Sequence, residues 1–260
     1  MTKAAAVLFA ATLAAGVWGA TSIQASAAER DWSGFYVGPN LGAAWSDVRK
    51  SLRTPIGDGN PPYFYPADAE AINAAGSIRW RHRELSIGGQ AGYSVQFGNL
   101  LLGAEIDIGR LGFKGQASST QMLPSAASNF TTETTVKANN LATLRARLGY
   151  AVGGGLLYVT GGFAYSKVSF NQTRVLASLP TNDDASETSH RIGWTVGAGA
   201  EFALDRNWTI KAEYLYADLG SFRTTTYPDT PWDGGGQSIP FAHSVDLTTQ
   251  IARLGLNYKF

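Results

Sequence analysis

The sequence predicts an all-β protein: an eight-stranded antiparallel up-and-down transmembrane β-barrel with three short periplasmic turns and four long extracellular loops. Three observations predict it. The N-terminus resembles an export signal, eight alternating segments are joined by short and long connections in turn, and the chain ends on an aromatic residue in mid-strand. That last strand alternates Ala252, Leu254, Leu256, Tyr258 and Phe260 with Arg253, Gly255, Asn257 and Lys259. An apolar face opposite a polar one suits a strand between lipid and lumen.

Residues 1–27 have the pattern of a cleaved secretory signal. Lys3 supplies the positive charge, an apolar run extends from Ala4 to Trp18, and Ala25-Ser26-Ala27 matches a small-residue cleavage site. The apolar run is short for a helical membrane anchor, which needs about 20 residues, and no later segment is long and apolar enough to form one. We therefore expect cleavage after Ala27, leaving one outer-membrane β-barrel domain of residues 28–260.

The composition excludes several partners and chemistries. The whole chain has 21 Lys and Arg against 20 Asp and Glu, and removal of the signal takes away one base and no acid, so the charges then balance. A chain without a basic surplus is a poor partner for nucleic acid. The sequence has no cysteine, so we expect neither disulfide nor thiolate chemistry, and we predict no cofactor.

Eight segments have the period-two pattern of β-strands. Their predicted limits are 33–45, 84–97, 100–112, 139–151, 156–169, 190–204, 208–220 and 245–260. The three short connections are Gly98-Asn99, residues 152–155 and residues 205–207, whereas the four long ones are 46–83, 113–138, 170–189 and 221–244. Short turns alternating with long loops are typical of a membrane barrel whose termini are both periplasmic.

The aromatic residues help to distinguish a membrane barrel from a soluble sandwich, in which the same alternation has its apolar face inside. Phe97, Tyr150, Trp208, Tyr258 and Phe260 stand near the short connections, and Trp45, Trp194 and Tyr216 lie towards the long ones. Two aromatic bands are expected at the two lipid interfaces. We therefore predict that the apolar faces point towards lipid and the polar faces towards the lumen.

The polar faces carry a balanced set of charges. The ten residues that we expect in a lumen charge network are Glu84, Glu105, Asp107, Arg145, Arg147, Glu201, Lys211, Glu213, Arg253 and Lys259. An eight-stranded barrel is just wide enough for side chains to fill it, and buried charges are costly unless they are paired. We interpret the set as a polar plug that holds the barrel's shape; the alternative is a narrow, low-conductance channel.

The residues also resemble a known family. The mature chain opens on residues 32–42, WSGFYVGPNLG, which is similar to the W-x-G-F/Y-Y-x-G-x-x-x-G pattern of the outer membrane immunogenic proteins, a porin-family, outer-membrane-protein-A-like group of eight-stranded barrels in Gram-negative bacteria. Segments 145–150, 211–216 and 252–260 resemble the family as well. The resemblance implies an outer-membrane location, a structural and surface-exposed role, and no catalytic residues.

Two further points follow from the resemblance. In the family a terminal aromatic is the signal that the barrel-assembly machinery reads during biogenesis, so the resemblance implies that role for Tyr258 and Phe260. Pro39 departs from the family pattern, in which glycine is commoner. Because proline cannot donate a ladder hydrogen bond, we predict a bulge or local break in the first strand there.

The first long connection suggests contact with lipid and with other molecules. Arg79-Trp80-Arg81-His82-Arg83 predicts a basic and aromatic collar, in which Arg79, Trp80, Arg81 and Arg83 would contact the anionic groups of lipopolysaccharide. The alternative is a solvated rim without a specific ligand. Residues 61–66, PPYFYP, indicate a contact surface for a host or surface ligand, and residues 67–75 predict a short helix.

The histidines leave two alternatives open. His82, His190 and His243 all fall near the long-loop ends of predicted strands, and the alternatives are a rim metal site and a rim-located lipid-modifying enzyme. No zinc-ligand spacing is present, and the geometry of a catalytic triad cannot be read from sequence. We predict a structural outer-membrane barrel, not an enzyme, with no catalytic, metal or cofactor-binding residues.

Overall fold

The computed structural model describes residues 30–54, 65–125, 128–176, 182–226 and 241–260. Its eight strands form one closed antiparallel barrel in which each strand pairs with its neighbours in the chain and the first closes on the last. This confirms the predicted all-β, up-and-down fold. The predicted signal segment, its cleavage site at Ala25 and Ala27, and residues 61–64 of the aromatic-proline stretch lie outside the described residues.

The strands are β1 (Gly34–Arg53), β2 (Ile78–Phe97), β3 (Leu100–Leu123), β4 (Ser128–Val152), β5 (Gly155–Leu176), β6 (Asn182–Ala203), β7 (Trp208–Thr226) and β8 (Phe241–Lys259). One helix, α1 (Pro66–Gly76), lies between β1 and β2. Among the described residues, no helix is long and apolar enough to cross a membrane.

The short turns lie where the sequence predicts them, but most of the predicted loop length is strand. Gly98 and Gly153 hold φ angles of 60° and 56°, the left-handed region that tight turns use and that glycine adopts without strain. At the other end, the predicted loop 113–138 is instead largely a continuation of the β3–β4 hairpin, which pairs as far as Leu123 and Ser128. That extension is rich in threonine, a good strand former that gives no apolar alternation to detect.

The apolar faces of the strands point outwards. Ile106 and Leu144 are 57% and 56% exposed, whereas the adjacent Glu105 and Arg145 are almost fully buried. Aromatic rings cluster at both ends of this apolar surface: Trp208 packs on Tyr258 near the short turns, with ring centroids 5.1 Å apart, and Trp194 packs on Tyr216 near the other end, at 5.4 Å. Lipid therefore meets a continuous apolar band between two aromatic girdles.

Towards the long-loop end the barrel divides into two sheets. Among the residues that the structure describes, β2 and β3 pair no further than Ile87–Arg110, and β6 and β7 no further than Trp194–Asp218. Beyond these points β3, β4, β5 and β6 stay paired as one sheet, and β7, β8, β1 and β2 as the other. We call the two unpaired lines the β2–β3 seam and the β6–β7 seam.

An apolar core fills the space between the two sheets. Its buried residues are Leu111, Val136, Ala138, Leu141, Ala164, Val168 and Phe170 from one sheet, and Ala44, Val48, Leu215, Ala217, Leu219, Val245, Leu247 and Ile251 from the other. We call this the intersheet core. Register shifts at Arg110/Phe113, Ala138/Leu141 and Asp218/Ser221 interrupt the ladders beside it, and such bulges bend strands. The upper lumen therefore combines this apolar core with buried polar groups, among them Lys50, whose Nζ donates to Thr134 Oγ1 and Gln172 Oε1 at 3.0 Å, whereas we predicted a polar lumen.

Helix α1 closes the long-loop end over this core. Ile72 and Ala75 are buried against Leu52 of β1, Leu123 of β3 and Phe241 of β8, so the helix contacts both sheets. Asn73 Oδ1 accepts a hydrogen bond of 2.7 Å from the Thr54 amide, and Asp68 Oδ1 accepts one of 3.1 Å from the Ser125 amide. The helix begins at Pro66, which suits a first helical position.

Pro39 interrupts one ladder and not the other. β1 pairs continuously with β2 through Pro39–Gly89, but its pairing with β8 passes from Val37–Tyr258 to Asn40–Gly255 without pairs at Gly38 and Pro39. The strand itself continues. The predicted local break is therefore a gap in the β1–β8 ladder alone, at the residue that has no amide hydrogen to donate.

Candidate functional site: the lumen charge cluster

Below the intersheet core, charged side chains from five strands converge in the lumen. The structure brings together Glu105 and Asp107 of β3, Arg145 and Arg147 of β4, Glu201 of β6, Lys211 and Glu213 of β7, and Arg253 of β8, all buried. We call this set the lumen charge cluster. Residues two apart on a strand share a face, which explains why the charges arrive in pairs such as Lys211 and Glu213.

Arg145 joins three carboxylates at the centre of the cluster. Its Nη1 donates to Glu213 Oε1 at 3.0 Å and its Nη2 to Asp107 Oδ2 at 2.7 Å, and Nη2 also donates to Glu105. Its Nε donates to Thr143 Oγ1 at 3.0 Å. A guanidinium can satisfy several acceptors in one plane, so a single buried arginine compensates three carboxylates on two strands, β3 and β7.

Two more cations complete this part of the cluster. Arg253 Nη2 lies 2.6 Å from Glu213 Oε2 and 3.1 Å from Asp107 Oδ2. Lys211 Nζ donates to both oxygens of Glu105, at 2.9 and 2.8 Å. Three carboxylates thus face three cations, and each carboxylate is contacted by at least two of them.

Arg147 and Glu201 form a second group closer to the short turns. They are ion-paired, and the Arg147 guanidinium carbon lies 3.7 Å from the centre of the Tyr158 ring. The Tyr36 hydroxyl links the two groups, because it accepts from Arg147 Nη1 at 3.3 Å and donates to Glu105 Oε2 at 2.6 Å. Tyr158, under the Arg147 guanidinium, donates to Glu213 Oε1 at 3.0 Å. The cluster is therefore one hydrogen-bonded network.

Two of the ten predicted network residues lie elsewhere, which corrects the prediction. Glu84 is opposite Ala44 at the height of the intersheet core, and its Oε1 lies 3.7 Å from His82 Nε2. Lys259 is at the short-turn end, where its Nζ donates to the carbonyl oxygen of Asp31. Both are displaced along their strands from the level of the cluster. The alternation of residues along a strand predicts that both side chains face inwards, but it does not predict how far along the barrel axis each one lies.

Sequence reasoning also missed the uncharged members of the network. Tyr36, Thr143, Tyr158, Thr209 and Asn257 each hydrogen-bond to a cluster residue. All five stand at inward positions. Because alternate residues of a strand face the same side, their spacing from the charged residues was the signal that could have identified them. An aromatic residue on the polar face of a strand is unexpected unless its hydroxyl group has a buried partner.

The short-turn end of the lumen is closed by apolar packing. Trp32 is buried against Leu101, Ala151 and Leu156, and the Arg30 guanidinium carbon lies 5.0 Å from the centre of its ring. The cavity beside it, next to Arg147, has a volume of about 10 Å³. That is about the smallest space that accommodates one water molecule.

The three histidines do not share a site. His190 is exposed on the outer surface, where its Nδ1 lies 2.6 Å from the Tyr165 hydroxyl. His243 is buried inside the barrel, with its ring centroid 5.8 Å from that of Phe170. His82 is exposed beside Glu84. His190 and His243 therefore stand on opposite faces of the barrel wall.

The basic run of β2 is divided between the two faces of the sheet. Arg79, Arg81 and Arg83 are exposed on the outer surface. Trp80 packs against the intersheet core, and its Nε1 donates to the Gln116 carbonyl across the β2–β3 seam at 3.2 Å. Trp80 thus does not lie on the predicted outward collar, because successive residues of a strand face opposite sides.

The C-terminal aromatic residues close the barrel beside β1. The Phe260 amide donates to the Phe35 carbonyl at 3.0 Å, and the two rings lie 5.7 Å apart. Tyr258 pairs with both Val37 and Trp208. These aromatics lie at the short-turn girdle.

Comparison with known proteins places the chain among outer-membrane proteins. A family model described as an outer membrane protein beta-barrel domain matches residues 10–260. The 31 kDa outer-membrane immunogenic protein of Brucella melitensis biotype 1 is 34% identical over 233 residues, which cover 88% of this chain and 84% of that protein. The 22 kDa outer membrane protein of Rhizobium leguminosarum bv. viciae is 29% identical over 199 residues, or 76% and 77% of the two chains.

Solved structures of similar shape include the crystal structure of Ail, the attachment invasion locus protein of Yersinia pestis. It is 16% identical in sequence, with a TM-score of 0.38, and the match covers 88% of this chain and 100% of that one.

Proposed function

Because the chain belongs to the outer membrane protein β-barrel domain family, we propose that it is a structural, non-conducting barrel that contributes to cell-envelope integrity and is not an enzyme. It resides in the outer membrane. In such barrels short turns face the periplasm, so the end that carries the intersheet core and α1 faces outwards.

The observation that carries this proposal is that the lumen is filled at successive levels. Trp32 lies at the short-turn end, the lumen charge cluster follows it, the intersheet core lies above the cluster, and α1 covers the core. An ion on this path would have to displace paired charges and then enter an apolar section. An apolar constriction excludes ions because water does not fill it, so the intersheet core is a barrier in its own right.

The outward part of the molecule supports a surface role. In the part of the chain that the structure describes, it is a folded unit of two sheets with its own core, so these residues present a defined surface. The Brucella relative is named an immunogenic protein, and we propose that this unit contacts the cell surface or a host ligand. We also propose that the aromatic end of β8, Tyr258 and Phe260, is read by the barrel-assembly machinery.

Planar-bilayer conductance of the purified barrel tests the non-conducting role. The wild-type protein should give no current steps, with a large porin as the positive control for insertion. Arg145→Ala and Glu213→Ala should also stay closed, because the intersheet core remains in series with the altered cluster. Regular steps from the wild-type barrel would establish the channel alternative and overturn the proposal.

The lipid-modifying alternative has its own test. Cells that produce wild-type protein, His190→Ala or His243→Ala should have the same lipid A mass profile, because these side chains lie on opposite faces of the wall. A lipid A species that depends on the protein and disappears in either variant would show an enzymatic role.

A further inference from the structure

Four arginines form a continuous basic surface on the outer face of β1 and β2. Arg79, Arg81 and Arg83 occupy alternate positions of β2, and Arg49 of β1 is the register partner of Arg79. All four side chains are exposed. We call this set the basic ladder. Alternate residues on a strand are about 6.6 Å apart, so the three β2 guanidinium groups can span about 13 Å along it.

One carboxylate orients the ladder without neutralising it. Asp47 accepts hydrogen bonds from Arg79 Nε at 3.1 Å and from Arg79 Nη2 at 2.5 Å. Arg49 and Arg81 each approach the same carboxylate at 3.5 Å. Three guanidinium groups thus contact this one carboxylate. Asp246 of β8 is the register partner of Arg49, so four arginines stand beside two acids and a surplus of positive charge remains at this place on the wall.

The ladder begins where the lipid-facing surface ends. Leu85 and Ile87 continue the same face of β2 and are 63% and 54% exposed, and on β3 the exposed Ile108 is likewise followed by Arg110. From Leu85 to Arg79 is about 20 Å along the tilted strand, which places the ladder in the layer of lipid headgroups and sugars just outside the hydrocarbon.

We propose that the basic ladder binds the phosphate groups of an outer-leaflet glycolipid, lipopolysaccharide. Guanidinium groups match phosphate oxygens in pairs, and Arg81 and Arg49 touch Asp47 through single contacts that leave other N–H donors for a ligand. The acyl chains of the same molecule would lie against Leu85 and Ile87. The inference rests on the proposed outward orientation of this end.

Continuity with the apolar band favours a lipid over a small anion. The binding of a free anion would depend on charge alone, whereas the binding of a glycolipid would also be stabilised by contact between its acyl chains and the wall directly below the ladder. The opposite wall provides a comparison for phosphate binding, because Lys137 of β4 and Lys167 of β5 are exposed there at the long-loop end. These lysines carry positive charge but lack the planar, paired donors of arginine.

Binding of diphosphoryl lipid A to the whole barrel folded in detergent tests the proposal. The double variant Arg81→Gln/Arg83→Gln leaves the Arg79–Asp47 pair in place, and we expect it to weaken binding by about tenfold, the scale for loss of charge-assisted contacts. Chemically dephosphorylated lipid A should bind wild-type and variant barrels alike. A heat-modifiability gel shows that each variant is folded.

The matched control is Lys137→Gln/Lys167→Gln, which removes two positive charges from the opposite wall and should change binding less than about twofold. Equal losses in both variants, or none in the ladder variant, would overturn the proposal. Full displacement of the lipid by millimolar inorganic phosphate would also overturn it and would define a small-anion site. None of these outcomes depends on conductance, so this proposal and the non-conducting role can fail separately.

Discussion

Arg145 of β4 and Glu213 of β7 meet across the barrel interior, with 3.0 Å between Nη1 and Oε1. Their strands are not neighbours in the sheet. The contact therefore spans the lumen, and with Asp107 and Arg253 it joins both halves of the wall. This geometry makes the lumen charge cluster an internal brace of the barrel.

Removing Glu213 should destabilise the barrel strongly. Its carboxylate contacts Arg145, Lys211 and Arg253, so Glu213→Ala leaves more buried positive charge than the remaining acids can compensate. We expect a loss of about 3–5 kcal/mol in the free energy of unfolding, measured by urea titration in lipid vesicles. Glu213→Gln should lose less, because its amide oxygen still accepts hydrogen bonds.

The control for that measurement is Glu133→Ala. Glu133 is exposed on the outer face of β4, and its removal should change the free energy of unfolding by less than about 0.5 kcal/mol. Equal stabilities for Glu213→Ala and Glu133→Ala would mean that the cluster does not brace the barrel.

Close approach of the neighbouring backbone makes glycine necessary at residue 162. A Cβ added at Gly162 would lie 2.1 Å from the Leu144 carbonyl oxygen and 2.8 Å from the Arg145 Cα, both atoms of the neighbouring strand. Gly162→Ala should therefore shift the backbone and cost about 1–3 kcal/mol of unfolding free energy. In the Gly154→Ala control the added Cβ meets no described atom within 4 Å, and its stability should match wild type.

Much of the charge cluster could be predicted from sequence, because alternate residues of a strand lie on the same face of the sheet. Glu105, Arg145 and Glu213 are separated by tens of residues, yet each stands at an inward position. The position of a side chain along the barrel axis is harder to predict, because it depends on the register between strands. That is why Glu84 and Lys259 were wrongly assigned to the same network.

The β2–β3 seam predicts uneven hydrogen exchange along β2. Residues 78–86 pair with β1 alone among the described strands, whereas residues 87–94 pair with both β1 and β3. In an antiparallel strand alternate amides point to opposite neighbours. About half of the amides of residues 78–86 should exchange rapidly in detergent micelles, while those of residues 87–94 stay protected. Uniform protection along β2 would show that the seam is closed in solution.

The two-sheet unit itself could not be predicted from alternation. Apolar positions such as Val48, Val136 and Val168 face inwards, opposite to the outward apolar side chains of the lower barrel. Bulges lie between the two regions and break the parity that a sequence pattern relies on. In β3, β4 and β7, where these bulges lie, the period-two alternation of the sequence therefore ends near the bulge, and the rest of each strand was predicted as loop.

Asp47 should give the outward surface a pH dependence in the acid range. Partial burial raises the pKa of Asp47, but the hydrogen bonds from Arg79 and the charge of the nearby guanidiniums outweigh it and hold the pKa below its ordinary value. A lowered folded-state pKa stabilises the fold at pH values above the ordinary value of about 3.9, and this contribution is lost as pH falls through the folded pKa.

The Asp47→Asn variant isolates that contribution. Wild type should be the more stable of the two at pH 7, and the difference should shrink as the pH falls below about 4 and disappear below the folded-state pKa of Asp47. A difference that is the same at pH 7 and at pH 3 would show that the Asp47 charge does not stabilise the surface.

The most direct test of the account is the environment of two adjacent residues of β4. The sequence has no cysteine, so Thr143→Cys and Leu144→Cys can each carry a single nitroxide label. Thr143 is buried in the lumen and Leu144 is 56% exposed on the outer wall. In lipid vesicles the label at Leu144 should be accessible to oxygen and shielded from a polar nickel chelate, whereas the label at Thr143 should be shielded from both. Oxygen accessibility at Thr143 with burial at Leu144 would invert the lipid and lumen faces and contradict the account.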